Sequence, residues 1–362
     1  MLTKTVGRCR GRAQGQKGLI LKQIDLAKKV LMNDVAMLIE SVAVDPLMGH
    51  PADFHVFDQF LKRCRNLPPI TASVCWPLSE VALSGAVEAA IAGIIKPTLV
   101  GPEDQLRALA MKLGVDISCY PVIDAATEEK AAQISVSMCR ENHAQAMMKG
   151  SLHTDEFMRA AMARETGLRT SRRISHVFVM DTPAYPRTLM ITDAAINIEP
   201  DLEDKVYIVQ NAIDLAHALD IPEPKVALLS AVETVNPKIK STLDAAALCK
   251  MADRGQITGG VLDGPLAFDT AVSAKAAQIK GLISRVAGQA DILVVPDLES
   301  GNMLAKQLEY LGGAQLAGIV LGTKVPVILT SRADSAATRL TSCAVAVLLH
   351  YSNNPMTDKQ GD

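Results

Sequence analysis

From residue 70 onward, short runs of Val, Ile and Leu alternate with stretches of helical spacing, and this alternation does most to limit how the chain can fold. The apolar runs fall at 71–75, 95–100, 145–148, 175–180, 187–192, 225–230, 291–295 and 318–330. Between them, apolar residues recur at intervals of three and four over 78–93, 103–113, 127–142, 155–164, 203–218, 241–253, 270–283, 302–312 and 335–350. A strand that alternates polar and apolar residues has one wet face, whereas a continuously apolar one is covered on both. Such strands, separated by helices, predict an α/β fold with a mostly parallel sheet between helical layers.

The front of the chain differs. Residues 1–17 are rich in Gly, Arg, Lys and Gln, a composition expected to order poorly. The spacing over 19–44 predicts an amphipathic helix, broken by Pro46, Gly49 and Pro51, and "FHVFDQFLKRC" predicts a second one before Pro68 and Pro69. Residues 1–65 are therefore expected to be a helical appendage, partly disordered. The first 24 residues hold no acid, and this is read as a basic tail rather than a targeting segment.

Composition excludes several classes of function. Lys+Arg (37) and Asp+Glu (39) nearly cancel, which argues against nucleic acid as a partner, since phosphate-backbone binding leaves a basic surplus. No uncharged apolar run is long enough to span a membrane. The seven cysteines form no CxxC pair, the expectation for reduced thiols in the cytoplasm. The seven histidines show no metal-ligand spacing, so no metal is expected.

Ligands of open α/β sheets collect at strand carboxyl ends, where helix N-termini supply donors. At 146–161 such an end carries Lys149, Gly150, Ser151, His153 and Thr154, followed by Arg159 on a helix; Thr154 or Asp155 would alternatively be a simple cap. Asp193 and Asn197 follow the run at 187–192, where Asx residues also shape turns. Asp297 and Asn302 follow 291–295, with Asn302 a candidate cap. Asp263 and Asp269 stand in a Gly/Pro-rich loop, and Arg169, Arg172 and Arg173 precede the run at 175–180. The last run ends in "TSRADS", with Ser331, Arg332 and Asp334 ahead of a helix that Asp334 or Ser335 could cap. Hydroxyls, glycines, amides and arginines recur at these ends. That profile fits phosphate or acyl chemistry performed by positioning and charge stabilisation.

The ordered segments "KGSLHT", "ITDAAINI", "KVALLSAVETVNPKIKST", "GGVLDGPLAFDTAVS", "ADILVVPDLESGNMLAKQL" and "VPVILTSRADS" resemble the phosphate acetyltransferase and phosphate butyryltransferase family. The resemblance spans about 70–352 and is strongest to the acyltransferase half of bifunctional enoyl-CoA hydratase/phosphate acetyltransferase chains; residues 1–65 do not resemble the hydratase half. It implies two α/β domains of the isocitrate/isopropylmalate-dehydrogenase-like type with an interdomain cleft. Domain I would be 70–169 plus 322–352, domain II 170–321, and the assembly a homodimer. The implied reaction moves a short acyl group, acetyl here, between acyl phosphate and coenzyme A, with CoA as substrate and no permanently bound cofactor. A butyryl-type preference for longer chains is the alternative, since "SRADS" has the butyryl form.

By position, the resemblance places Ser331 at the CoA thiol and Arg332 and Arg159 at the phosphoryl or carbonyl oxygens. Lys149, Ser151, His153, Thr154, Asp193, Asn197, Asp297 and Asn302 fall in its phosphate- and substrate-binding segments. Two family features are missing: no arginine in 127–145 matches the one in acetyl-specific members, and Thr338 stands where they carry an aspartate. Asp334 is then the nearest carboxylate to act as base, although a helix N-terminus favours its charged form and weakens it in that role. Two other readings compete. A nicotinamide- and metal-dependent dehydrogenase of the same fold would need clustered acids, and a non-catalytic acyl-CoA-sensing or oligomerisation domain would not need Ser331, Arg332 and Arg159.

Overall fold

The computed structural model describes residues 56–331 and 334–356, all of them in one compact unit that begins at Pro51. The helix expected over 19–44 lies outside the described residues. Eleven strands form a single sheet: β1 (Ile70–Cys75), β2 (Ile95–Gly101), β3 (Val122–Asp124), β4 (Ala146–Lys149), β5 (Ser175–Asp181), β6 (Leu189–Thr192), β7 (Lys225–Leu229), β8 (Val261–Leu266), β9 (Ile292–Val294), β10 (Gln315–Leu321) and β11 (Val327–Ile328). Their order is β3-β2-β1-β4-β11-β10-β5-β6-β9-β7-β8. Within β3-β2-β1-β4-β11 and within β6-β9-β7-β8 every neighbouring pair is parallel. The pairs β11/β10, β10/β5 and β5/β6 between those blocks are antiparallel.

The helices are α1 (Val56–Cys64), α2 (Glu80–Ile91), α3 (Glu103–Leu113), α4 (Glu128–Arg140), α5 (Thr154–Ala161), α6 (Leu202–Ala218), α7 (Lys240–Asp253), α8 (Phe268–Val272), α9 (Ala274–Ile279), α10 (Leu298–Tyr310) and α11 (Ala336–Asn353). The inner strands are buried on both faces, as their continuous apolar sequences require: all seven residues of β5 are buried. Its side chains alternate, so Val177 and Val179 join the core that also holds Val345 and Leu348 of α11. Phe178 and Met180 join the core on the other face, with Leu316 and Leu293.

Several expectations change. The appendage 1–65 does not end at 65 as a separate piece, because Phe57, Phe60 and Cys64 of α1 are buried in the main core. The Cys64 Sγ also lies 3.4 Å from the Ala344 carbonyl of α11. The run 318–330 is two strands rather than one, since the chain reverses at Gly322. There φ is +77°, and a Cβ would come within 2.4 Å of the Arg173 carbonyl. The segment 259–266, read as loop for its Gly and Pro, contains β8. A sheet edge tolerates a proline that cannot donate to the ladder, and β8 pairs only with β7. The single helix expected over 270–283 is two short ones, because Ser273 interrupts the first and caps the second by accepting from the Ala276 amide.

Candidate active site

A cleft of about 420 Å³ opens on the sheet face that carries His176 and Phe178 of β5. Segments from both parallel blocks wall it. From one side come Lys149 at the end of β4, Leu152, His153 and Thr154 at the start of α5, and Leu329, Thr330, Ser331 and Asp334 between β11 and α11. From the other come Ala195 after β6 and Leu298, Asn302 and Lys306 on α10. Strand ends at 149, 192, 294 and 328 therefore converge, as the alternation of strands and helices implied.

The turn after β11 is built by Asp334 and Arg339. Asp334 is buried, and its Oδ2 accepts from the Ser331 amide at 2.6 Å. Its Oδ1 has no hydrogen-bond partner among the described residues. Ser335, not Asp334, caps α11, accepting from the Thr338 amide at 3.1 Å. Thr338 faces this cap, with its hydroxyl 3.2 Å from that of Ser335. Ser331 itself is exposed at the mouth of the cleft. Arg332 lies outside the described residues.

Arg339, only 1% exposed, ties the two strand ends together. Its Nη1 donates to the Thr330 hydroxyl (2.6 Å) and the Lys149 carbonyl (3.3 Å), and its Nη2 to the Ser331 carbonyl (2.9 Å). Gly85 on α2 makes the room: a Cβ there would stand 2.7 Å from the Arg339 Cδ. Lys149 is equally buried and directs its Nζ at the Thr330 carbonyl, 3.4 Å away.

The other expected residues divide. Ser151 donates to the Trp76 carbonyl at 3.0 Å and does not line the cleft. Neither Thr154 nor Asp155 caps α5; His153 occupies the cap position and makes no side-chain cap bond, which leaves Thr154 facing the cleft. Arg159 is exposed, pairs with Glu156 at 3.4 Å and borders a neighbouring acidic depression that shares His153. Asp193 and Asn197 build the turn behind Ala195. The Asp193 carboxylate accepts from the amides of Ala195 (2.9 Å), Ile196 (3.0 Å) and Asn197 (3.3 Å) and from the Asn197 side chain (2.6 Å). Burial pushes the Asp193 carboxyl up, and these donors oppose that shift. Asp297 caps α10 through the Ser300 amide at 2.8 Å. Asn302 is therefore inside the helix rather than its cap; it reaches the Ala194 carbonyl at 3.3 Å and lines the cleft.

Arg339, buried behind the Ser331 turn, and Lys306 and His176, which line the cleft, escaped the sequence reading. Arg339 had a usable signal, as the lone charge in the apolar run of α11. Lys306 follows Asn302 by one helical turn. His176 sits in "SHVFVMD" like a core residue, and nothing in the sequence marks which face of the strand will be hollow. No group of three or more His, Cys, Asp or Glu side chains is placed to hold a metal among the described residues. None of their helices is long and apolar enough to cross a membrane.

The fold is that of the solved phosphotransacylases. A branched-chain phosphotransacylase from Enterococcus faecalis V583 superposes with a TM-score of 0.69 at 31% identity, over 78% of this chain and 99% of its own. The family model for phosphate acetyl/butaryl transferases matches residues 127–347. A Rhizobium meliloti protein named phosphate acetyltransferase is 57% identical over 82% of this chain and 94% of its own length. A Clostridium acetobutylicum protein named phosphate butyryltransferase is 41% identical over 81% and 97%. The chain belongs to the phosphate acetyl/butaryl transferase family.

Proposed function

We propose that this cleft carries reversible acyl transfer between phosphate and coenzyme A, with acetyl as the acyl group. The observation that carries the reading is the convergence of Ser331, Lys149, Thr330, Asn302 and Lys306 around one hollow, within a chain so similar to the Rhizobium meliloti acetyltransferase. In the forward direction the CoA thiol loses its proton, and its sulfur forms a bond to the acyl carbon. The carbon–oxygen bond to the phosphoryl group then breaks, and phosphate leaves with the electron pair.

Charge builds first on the carbonyl oxygen and then on the leaving phosphate. Lys149, Lys306 and the Asn302 amide are the described donors closest to that task, and each such donor is worth about 10²–10³ in rate. Ser331, next to the turn that Asp334 holds, is assigned to the thiol. Arg332 follows it directly and is assigned to the phosphoryl oxygens. Arg159 can join only by leaving Glu156, which costs little for an exposed pair. The partnerless Oδ1 of Asp334 supports its assignment as the base that takes the thiol proton. A free thiol, with a pKa near 8.5, needs such help at neutral pH.

Two further assignments go with the activity. The division into 70–169 plus 322–352 and 170–321 puts the boundary between β4–β11 and β10–β5, next to the cleft. A homodimer is supported by the exposed apolar side chains of Met303, Tyr310 and Leu311 on α10 and at its end.

Acetyl phosphate and CoA mixed with the protein should give thioester, followed by its ultraviolet absorbance, and faster than butyryl phosphate does. Absence of thioester with every acyl phosphate would overturn the activity and favour a sensing role. Replacing the base (Asp334→Asn) should lower turnover more than CoA affinity, and unchanged turnover would remove Asp334 from the mechanism.

A further inference from the structure

We propose that His176 is a substrate contact, its ring N–H donating a hydrogen bond to a phosphoryl oxygen of the acyl phosphate, or of inorganic phosphate in the reverse direction. The inference rests on the acyl-transfer reading and adds a residue that the family resemblance did not supply.

His176 is 0% exposed, yet it lines the cleft. Neither ring nitrogen has a hydrogen-bond partner among the described residues. Leaving buried polar atoms unpaired costs a folded chain stability, and such atoms are rare unless water or a ligand completes them. The ring is also held in place. It stands edge-on to Phe178, with centroids 4.4 Å apart and planes at 78°, and its Nε2 lies over Gly318. A Cβ on Gly318 would come within 3.2 Å of that nitrogen and within 2.3 Å of the Leu329 carbonyl. Glycine at 318 thus leaves the space that this nitrogen lies against.

Burial pulls the imidazole down to about 3, so it is neutral across the working range. A neutral imidazole offers one N–H donor and one acceptor whichever tautomer it adopts. The surroundings favour an anion for that donor: Lys149, Lys306 (its ammonium paired with Glu309) and Asn302 line the same hollow, against the one carboxylate of Asp334. Bound there, a phosphoryl oxygen would complete a donor that the folded chain leaves open.

The test is steady-state kinetics in the reverse direction, with acetyl-CoA and inorganic phosphate. His176→Phe fills a similar space without a donor; His176→Asn and His176→Gln place an amide N–H near Nδ1 and Nε2 respectively. The Phe variant should raise the KM for phosphate about tenfold or more, the scale of one lost bond to a charged group. Its KM for acetyl-CoA should stay within about twofold, and one of the amide variants should recover phosphate affinity. An unchanged phosphate KM in a folded Phe variant, an equal rise in both KM values, or no recovery with either amide overturns the proposal. Should the Phe variant not fold, the imidazole nitrogen resonances of the wild-type protein decide. With the His176 signals identified by their loss in His176→Asn, they should shift saturably as inorganic phosphate is added, and no shift overturns the contact. Wild-type protein that forms no thioester but shows this shift would overturn the acyl-transfer reading alone.

Discussion

Removing the Arg339 guanidinium should both destabilise the fold and loosen the Ser331 turn, by amounts the geometry allows to be worked out. Arg339→Met keeps most of the aliphatic stem and deletes three hydrogen bonds, to the Thr330 hydroxyl and to the carbonyls of Lys149 and Ser331. A bond from a charged donor contributes about 1.5–3 kcal/mol, and buried acceptors left unpaired add to the loss. Against this stands relief from burying the guanidinium, whose Nε has no partner and whose pKa burial lowers. Buried Asp334 loses the favourable electrostatic interaction it has with this guanidinium. The net expectation is about 3–5 kcal/mol, a fall of about 5–8 °C in Tm for a unit of this size. Urea and thermal unfolding measure that part. Activity measures the other: a displacement of about 1 Å at Ser331 costs on the order of 10² in kcat. Arg339→Lys keeps the charge but not the planar fork and should fall between. Gly85→Ala, which drives a Cβ to 2.7 Å from the Arg339 Cδ, should be harmful in the wild type and much less so in Arg339→Ala, which has no Cγ or Cδ to meet it. A methionine variant with wild-type Tm and kcat, or strictly additive effects of the two alanine substitutions, refutes the clamp.

His176 should make the protein acid-sensitive. Its pKa is about 3 when folded and near 6.5 when unfolded, so between those values the unfolded chain binds a proton that the folded chain refuses. The stability from keeping it neutral is complete above pH 6.5 and lost as pH falls towards 3, at about 1.4 kcal/mol per unit. In phosphate-free buffer the stability gap between wild type and His176→Asn should narrow at that slope between pH 6 and 5; parallel urea curves would contradict it. Arg159→Ala should leave Tm within about 1 °C, since the residue is exposed and its ion pair weak. A loss of about 10²-fold in kcat/KM in the same variant would mean the arginine swings in during turnover, and an unchanged value would confine it to the neighbouring depression. Lys306→Ala should raise the KM for phosphate several-fold while its partner Glu309 tolerates Gln, and equal effects of the two would point to the 2.8 Å ion pair instead.

The alternation of apolar runs and helical spacing was enough to place most of the strands and to direct attention to their carboxyl ends, because short apolar runs rich in Val and Ile between longer helical segments fit strands buried on both faces. It was not enough at Gly322. Val, Ile and Leu on either side of a reversal read as one run when the reversal depends on a single left-handed glycine. Nor could it separate Asp193 and Asn197 from Asn302. All are Asx residues after strands, yet two turn their side chains onto nearby backbone and the third faces the hollow. A capping or turn residue is defined by amides three or four positions away, so the sequence names the candidates and only the backbone path chooses among them.

His176 illustrates a different limit, and it bears on how the site arises. A histidine between Ser175 and Val177 in a strand of seven buried residues satisfies every sequence test for a core position. It becomes a site residue because Gly318 on β10, the ladder partner of neighbouring Phe178, leaves space beside the ring, while α10 and the β11–α11 turn wall the cleft with it. Those segments belong to the two parallel blocks, which the antiparallel strands β10 and β5 join. In a wholly parallel sheet, helices would cover this face continuously, as they cover Val177 and Val179 on the other side. The reversal of strand direction at the centre of the sheet thus does two things at once. It brings strand ends from both blocks over one face, and it leaves a buried histidine in the cleft wall, its nitrogens without a partner among the described residues.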